Sequence, residues 1–191
     1  RQQVALSNAA AAQGLALADK LLGNKRSTVC IISDGACMEG EAKEAMAAIA
    51  GFANKGKLNP FVMIISDNNT KIGGRITDDS FSMKPSFESL SALGFEVMNL
   101  ENGHDLQAVY TTLESAIEKA NSNPNKAVAL VIKTIKGYGV KSTEQSASGG
   151  HGYPLGAYDE KLPAFIQEIF SENAPEYFMN WANEILASKP E

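Results

Sequence analysis

The chain has 191 residues, of which 44% are hydrophobic and 20% are charged, and these values are typical of one soluble domain with a short appendage. Its formal net charge of -5 argues against a nucleic-acid-binding protein, because such proteins normally carry a basic patch. The longest apolar run is Phe61 to Ile65, whereas a bilayer crossing needs about 20 residues, so no membrane partner is expected.

The cysteine content and the amino end predict where the protein works. Cys30 and Cys37 form neither a disulfide framework nor a metal-binding spacing, and both are expected to be small buried side chains. This usage favours a reducing, cytoplasmic setting. The chain begins with Arg1 and shows no secretory signal, so a further segment is expected upstream.

The first elements alternate between helix and strand. Val4 to Leu22 is rich in Ala and Leu and predicts one largely buried helix. Val29 to Ile32 is a short apolar run that predicts a strand buried on both faces. Glu41 to Lys55 has apolar residues at helical spacing, and Phe61 to Ile65 predicts the next buried strand.

The alternation then continues through the middle of the chain. The predicted elements are a helix over Phe87 to Leu93, a strand over Phe95 to Leu100, a helix over Asp105 to Asn121 and a strand over Ala127 to Thr134. Asp105 is a suitable N-cap for its helix. The order of elements predicts an α/β fold with a mostly parallel sheet flanked by helices.

A glycine-rich stretch separates this pattern from the tail. Lys136 to Gly156 contains six glycines, which makes it too irregular for a regular element and too long for a simple connection. Two helices follow, over Glu160 to Phe170 and Pro175 to Leu186. We therefore expect an α/β domain over residues 1–157 and a helical extension over residues 158–191.

Polar residues follow the predicted strands where a parallel sheet binds its ligands, at the carboxyl ends. Ser33-Asp34-Gly35 follows one strand, and the glycine lets backbone N–H groups approach a phosphate closely. Asp67-Asn68-Asn69-Thr70 follows the next strand. A carboxylate, an amide oxygen and a backbone carbonyl form a hard ligand set for Mg²⁺ or Ca²⁺, which predicts a diphosphate held through a metal.

The third candidate lies in the glycine-rich stretch. His151 stands between Gly150 and Gly152, which is poorly explained by core packing. Such a histidine could contact a phosphate or move protons, and the simpler alternative is a solvated loop residue.

Together these motifs resemble the diphosphate-binding domain of transketolase, a thiamine-diphosphate enzyme. The family's metal–cofactor motif begins with Gly-Asp-Gly and closes with a paired Asp/Asn-Asn, which appear here as Ser33-Asp34-Gly35 and Asp67-Asn68. The resemblance continues through Cys37-Met38-Glu39-Gly40-Glu41, Glu101-Asn102-Gly103, Lys133 to Gly139 and His151-Gly152-Tyr153-Pro154-Leu155. It implies the thiamine-diphosphate-binding fold. The chain departs from the family in Ser33 and in lacking a glycine-rich turn before its first helix.

The resemblance assigns roles residue by residue. It implies that Asp34 and Asn68 hold the metal through side-chain oxygens and that Thr70 adds its backbone carbonyl. Gly35 would offer its N–H to the diphosphate, and Ile72 would form an apolar wall against the cofactor.

Three further residues receive catalytic roles from the family. His151 matches a histidine that contacts the diphosphate on the substrate side. Glu39 and Glu44 match acids that communicate between the two cofactor sites of a dimer. The alternative for both glutamates is stabilisation of a helix amino end.

The function implied is transfer of a two-carbon ketol unit between sugar phosphates by a transketolase-like enzyme that uses thiamine diphosphate with Mg²⁺ or Ca²⁺. The pyrimidine-binding domain and the family's upstream histidines are absent from these 191 residues. We therefore expect a homodimer, a separate pyrimidine-binding subunit or domain, or both, and no activity from this chain alone. The alternatives are a deoxyxylulose-phosphate synthase-like enzyme and a non-catalytic paralogue that acts as an interaction subunit.

Overall fold

Five parallel strands form the centre of the larger of two units into which the chain divides: the sheet unit, residues 1–134, and the helical unit, residues 135–191. The computed structural model describes residues 2–6, 9–151 and 155–190. In the sheet unit the strands are β1 (Gln2–Leu6), β2 (Ser27–Ser33), β3 (Phe61–Asp67), the short hairpin strands β4 (Thr70–Lys71) and β5 (Gly74–Arg75), β6 (Glu96–Leu100) and β7 (Val128–Lys133). The main sheet has the order β1-β2-β3-β7-β6, and all its pairings are parallel.

Helices cover both faces of this sheet. They are α1 (Ala9–Leu21), α2 (Gly40–Asn54), the four-residue α3 (Ile76–Asp79), α4 (Lys84–Leu93) and α5 (Leu106–Ser122). Alternate residues of a strand point to opposite faces, so Met63 of β3 joins the core beneath α1, α2 and α4, whereas Val62 joins the core beneath α5. The predicted α/β class with a helix-flanked parallel sheet is confirmed.

The prediction of a single helix over Val4 to Leu22 is wrong. Residues Gln2–Leu6 form the edge strand β1, which pairs in parallel with β2 from Gln2 opposite Ser27 to Leu6 opposite Ile31. The helix begins only at Ala9. Pairing with β2 satisfies backbone groups of both strands, and this tertiary contact overrides the local helix propensity of the Ala-rich sequence. Ser7 and Asn8, which fall within the predicted helix, lie outside the described residues.

The other predicted elements of the sheet unit are confirmed with small changes at their ends. The helix predicted from Phe87 begins at Lys84, where Pro85 occupies the first turn. Asp105 caps α5 as predicted, because its side chain accepts a hydrogen bond from Ala108 N at 3.0 Å. Cys30 and Cys37 are both buried, in agreement with their predicted role as small core side chains.

The helical unit contains α6 (Lys141–Gln145), α7 (Leu162–Ile169) and α8 (Glu176–Ala187). The last two confirm the helices predicted for the tail. The expectation that residues 136–156 hold no regular element is wrong, because α6 forms there. None of the helices in the described parts of the chain has the length and apolar character that a bilayer crossing requires.

Candidate functional site

The ends of three adjacent strands bring the candidate residues of the sheet unit to one edge. Ser33 at the end of β2 lies opposite Ser66 of β3, and Asp67 at the end of β3 lies opposite Lys133 of β7. Asp34 directly follows β2. Because parallel strands end at the same edge, the fold places these polar residues together without any contribution from sequence proximity.

Asp34 joins the ends of β2 and β3. Its side chain is fully buried, and its Oδ1 accepts a hydrogen bond from the N–H of Gly35 at 2.8 Å. Its Oδ2 accepts from the N–H groups of Asn68 at 2.8 Å and Asn69 at 2.6 Å. Burial raises the pKa of Asp34, and these three backbone hydrogen bonds oppose that rise. The Asp34 carboxylate therefore holds the backbone of the loop after β3 in place.

Asn68 and Thr70 form a compact turn on this carboxylate. The Asn68 Oδ1 accepts a hydrogen bond from Thr70 N at 3.0 Å, and the Thr70 hydroxyl donates to the Asn68 carbonyl at 3.0 Å. Arg75 of β5 donates to the same hydroxyl at 2.8 Å. Asn69 takes the left-handed conformation, with φ of 55°, that asparagine tolerates. This network fixes the backbone on which the predicted ligands lie.

Gly35 lies close to the same turn. A Cβ added at Gly35 would approach the Thr70 carbonyl oxygen to 3.3 Å, which is tighter than ordinary contact. Glycine is therefore favoured there, and it leaves the Thr70 carbonyl next to the backbone that follows Asp34. The Gly35 N–H, which the resemblance assigns to the diphosphate, donates to Asp34 Oδ1 in this structure.

A cleft of about 520 Å³ opens beside this network. Its lining combines Asp34 and Asp67 with apolar side chains such as Ile76, Phe87 and Val131. Polar and charged residues outnumber the apolar ones in the lining, and a cleft of this size in which polar groups converge beside an apolar wall has the character of a small-molecule or cofactor site.

Comparison with known proteins identifies the family. A family model described as the transketolase thiamine diphosphate binding domain matches residues 4–174. This chain belongs to that family. The transketolase of Bacillus subtilis is 34% identical over 165 residues, which cover 80% of this chain and 23% of the relative. One subunit of the apulose-4-phosphate transketolase of Actinobacillus succinogenes is 32% identical over 161 residues, which cover 84% of this chain and 53% of the relative.

Solved structures show the same fold. A transketolase variant of Pichia stipitis superposes with a TM-score of 0.64 at 22% identity, over 95% of this chain and 27% of that one. The transketolase of Leishmania mexicana gives a TM-score of 0.60 at 22% identity, over 95% of this chain and 29% of that one. The chain thus spans about a quarter of the whole transketolases and about half of the Actinobacillus protein. The predicted resemblance to transketolase is confirmed, and the synthase and paralogue alternatives are not favoured.

The residues present fit a hard divalent cation beside a diphosphate. Asp34 Oδ1 accepts a hydrogen bond from Gly35 N, and Asn68 Oδ1 accepts one from Thr70 N, which leaves an acceptor position on each oxygen. The Thr70 carbonyl lies against the same backbone. Among the described residues no cluster of three His, Cys, Asp or Glu side chains is placed to hold a metal.

Sequence reasoning missed the charged residues at the rim of the cleft. The Lys133 Nζ donates to Glu101 Oε2 at 2.7 Å, and Lys133 also faces Asp67 across β3 and β7. Burial raises the pKa of Asp67, whereas Lys133 lowers it, and the Glu101 hydrogen bond raises the pKa of Lys133. Glu101 and Lys133 both lie in motifs that resemble transketolase. Their places in those motifs could have indicated that they belong to the site.

The two glutamates with predicted interface roles take no part in the hydrogen bonds described for Asp34. Glu39 is exposed and precedes α2, without a side-chain hydrogen bond to cap that helix, and Glu44 is exposed on α2. Glu41 performs an unpredicted structural role, because its Oε1 accepts from Ala10 N in the first turn of α1 at 3.1 Å. Ile72, the predicted apolar wall, is 73% exposed between β4 and β5.

His151 belongs to the helical unit and is exposed. Its N–H donates to the Ser148 carbonyl at 3.2 Å, and its own carbonyl accepts from the Ser148 hydroxyl at 2.8 Å. The backbone of His151 is therefore held in a tight turn while its side chain is accessible. The Gly152-Tyr153-Pro154 part of the predicted motif lies outside the described residues.

Proposed function

We propose that this chain supplies the diphosphate-binding part of a transketolase-like enzyme that transfers a two-carbon ketol unit from a ketose phosphate to an aldose phosphate. The observation that carries the proposal is the buried Asp34 carboxylate, which fixes the loop after β3 and gathers the Asn68 and Thr70 oxygens at the carboxyl edge of the sheet. The match to a thiamine diphosphate binding domain supports this proposal, since carboxylate, amide and carbonyl oxygens are the ligands that a hard cation beside a diphosphate prefers.

In this proposal Asp34, Asn68 and the Thr70 carbonyl hold Mg²⁺ or Ca²⁺. The oxygen-only set suits either cation and leaves coordination positions for phosphate oxygens and water. Thiamine diphosphate, when bound, supplies the carbanion chemistry of ketol transfer. The chain's own residues bind and orient the diphosphate, and the buried network keeps the loop in place while this happens.

The remaining residues serve the same group. Gly35 keeps the backbone after Asp34 free of a side chain, so that the diphosphate can approach it, and Ile72 gives the cofactor an apolar contact. His151 contacts the diphosphate and faces the substrate. Glu39 and Glu44 lie on the surface, where they are accessible to a second cofactor site across a dimer interface.

The active enzyme contains more protein than this chain. Whole transketolases are about four times as long as the matched region, and one relative carries the name of a separate subunit. We propose sugar phosphates as substrates and a homodimer, a pyrimidine-binding subunit, or both, as partners. The chain alone is then inactive in ketol transfer, and the assembled enzyme works in the cytoplasm.

Calorimetry with thiamine diphosphate tests the cofactor site. Binding is expected in the presence of Mg²⁺ and is expected to disappear with chelator. Asn68→Ala removes one proposed side-chain ligand and the acceptor for Thr70 N but keeps the backbone N–H that donates to Asp34, so loss of binding with an intact fold shows that the Asn68 side chain is required in the site. Asp78→Asn on the exposed surface of α3 is the matched control and should bind as the wild type does.

Two results would contradict the proposal. One is the absence of binding even when a pyrimidine-binding partner is supplied. The other is binding that is equally strong with Mg²⁺ and with chelator, because the Asp34, Asn68 and Thr70 oxygens would then hold no metal. Far-UV circular dichroism of each variant checks that its fold is intact.

A further inference from the structure

The turn that presents His151 is built directly onto helix α6. The Ser146 residue that ends α6 accepts a hydrogen bond on its hydroxyl from Gly150 N at 2.7 Å and another on its carbonyl from Gly149 N at 3.0 Å. His151 follows, closed onto Ser148. The position of His151 within the helical unit therefore depends on where α6 lies.

Thr143 of α6 contacts the glycine-rich stretch on both sides of the helix, at Gly137 before it and at Gly150 after it. Its hydroxyl lies 2.7 Å from the carbonyl oxygens of Gly137 and Val140, either of which can accept its proton. A Cβ added at Gly137 would lie 2.6 Å from the Thr143 hydroxyl, and one at Gly150 would lie 3.1 Å from Thr143 Cβ. The two glycines thus pack directly on Thr143, and the stretch is more tightly assembled than its composition predicts.

A carboxylate from the following helix holds α6 in place. The Glu168 Oε2 on α7 accepts from the Ser142 hydroxyl at 2.6 Å, and its Oε1 accepts from the Ser142 N–H. Both oxygens of one carboxylate therefore contact one residue in the first turn of α6. Charge-assisted hydrogen bonds of this two-point kind are stronger and more directional than neutral ones.

We propose that Glu168 is a positioning residue for His151, acting through Ser142 and the α6 helix. The proposal rests on the proposed function for the role that His151 has toward the diphosphate. Glu168 itself touches neither cofactor nor substrate in this scheme. By holding α6, Glu168 keeps the turn with His151 mostly in the conformation that binds the diphosphate. Because that conformation is already populated, little of the binding free energy is spent on reaching it.

Nuclear magnetic resonance on the full chain tests the mechanical part of the proposal. The backbone order parameter of His151 should be near 0.85 in the wild type and below about 0.6 in Glu168→Ala. Glu168→Gln keeps one acceptor for Ser142 and should give an intermediate value. The matched control Glu184→Ala, an exposed substitution on α8, should leave the order parameter at the wild-type value.

The two histidines provide an internal check in the untagged chain. Their ring resonances are the only two of this type, one from His104 in the sheet unit and one from His151 in the helical unit. Glu168→Ala should change the His151 resonance and leave the His104 resonance in place. A change in both would show general unfolding and would overturn the specific role of Glu168.

Thiamine diphosphate affinity measured with Mg²⁺ tests the functional part. Glu168→Ala should raise the dissociation constant about tenfold, because the held turn is then a minor conformation, and Glu168→Gln should restore most of the loss. An unchanged order parameter in Glu168→Ala overturns the proposal. A lower order parameter with unchanged affinity overturns the link to cofactor binding while leaving the Asp34 site intact. Absence of binding by the wild type even when a pyrimidine-binding partner is supplied overturns the proposed function itself.

Discussion

Gly103 offers a sharp test of how the carboxyl edge of the sheet is assembled. The turn before α5 crosses the end of β7 there, and the Gly103 N–H donates to the Lys133 carbonyl at 2.8 Å. A Cβ added at Gly103 would lie 2.7 Å from that carbonyl oxygen and 2.5 Å from Ile132 Cγ2. Backbone at the end of a central strand cannot move aside easily, so alanine must displace the turn that carries Glu101.

The expected magnitude follows from two contributions. Overpacking in a well-packed region costs typically about 1–3 kcal/mol, and the hydrogen bond to Lys133 is worth about 1 kcal/mol. Gly103→Ala should therefore lower the free energy of unfolding of the sheet unit by about 2–4 kcal/mol. Gly51→Ala is the matched control, because Gly51 is exposed within α2 and an added Cβ meets nothing within 4 Å. That variant should be more stable than wild type by about 1 kcal/mol.

Urea unfolding followed by far-UV circular dichroism measures both variants. Tryptophan fluorescence is less suitable, because the single tryptophan, Trp181, lies in the helical unit. Amide exchange at Gly103 adds a local readout and should accelerate in any variant that displaces the turn. The reasoning is refuted if Gly103→Ala and Gly51→Ala unfold at the same urea concentration.

Three further outcomes are expected. Asp105→Ala should destabilise the sheet unit by about 1 kcal/mol in urea unfolding, because α5 loses its cap. Cys30 and Cys37 should react with a thiol reagent at pH 8 only as the chain unfolds, since burial raises their pKa values to about 11 and about 12; rapid reaction of the native chain would contradict this. The hydrogen bond from Arg26 lowers the pKa of Asp19, so ionisation of Asp19 stabilises the fold fully above its unfolded pKa of about 4. The stability difference between wild type and Asp19→Asn should begin to shrink below that pH and be lost as the pH falls through the lowered pKa of the folded state.

The local sequence determined most of the elements of this protein. Apolar runs of strand length predicted β2, β3 and β7, because a strand buried on both faces needs consecutive apolar residues. Helical spacing after an N-cap residue predicted α5, because the cap stands directly before the helix in the sequence. Ser33-Asp34-Gly35 and Asp67-Asn68, together with several downstream motifs in the same order, also indicated the family through their resemblance to transketolase.

The first strand could not be predicted in this way. Gln2–Leu6 is a strand because it pairs with β2, which lies about 25 residues further along the chain. The residues of this segment do not themselves indicate that pairing. The α6 helix was missed for a related reason, because Glu168 and the packing of Thr143 on two glycines stabilise a segment whose composition indicates a loop.

The tertiary structure alone decided how the candidate site is held together. The sequence predicted Asp34 as a metal ligand, but it contained no sign that the carboxylate also accepts two backbone hydrogen bonds from residues 34 and 35 positions away. The ion pair of Lys133 with Glu101 likewise depends on β6 and β7 lying side by side. Sequence patterns record which residues are buried and which chemistry they carry; the order of strands in the sheet determines which of those residues meet.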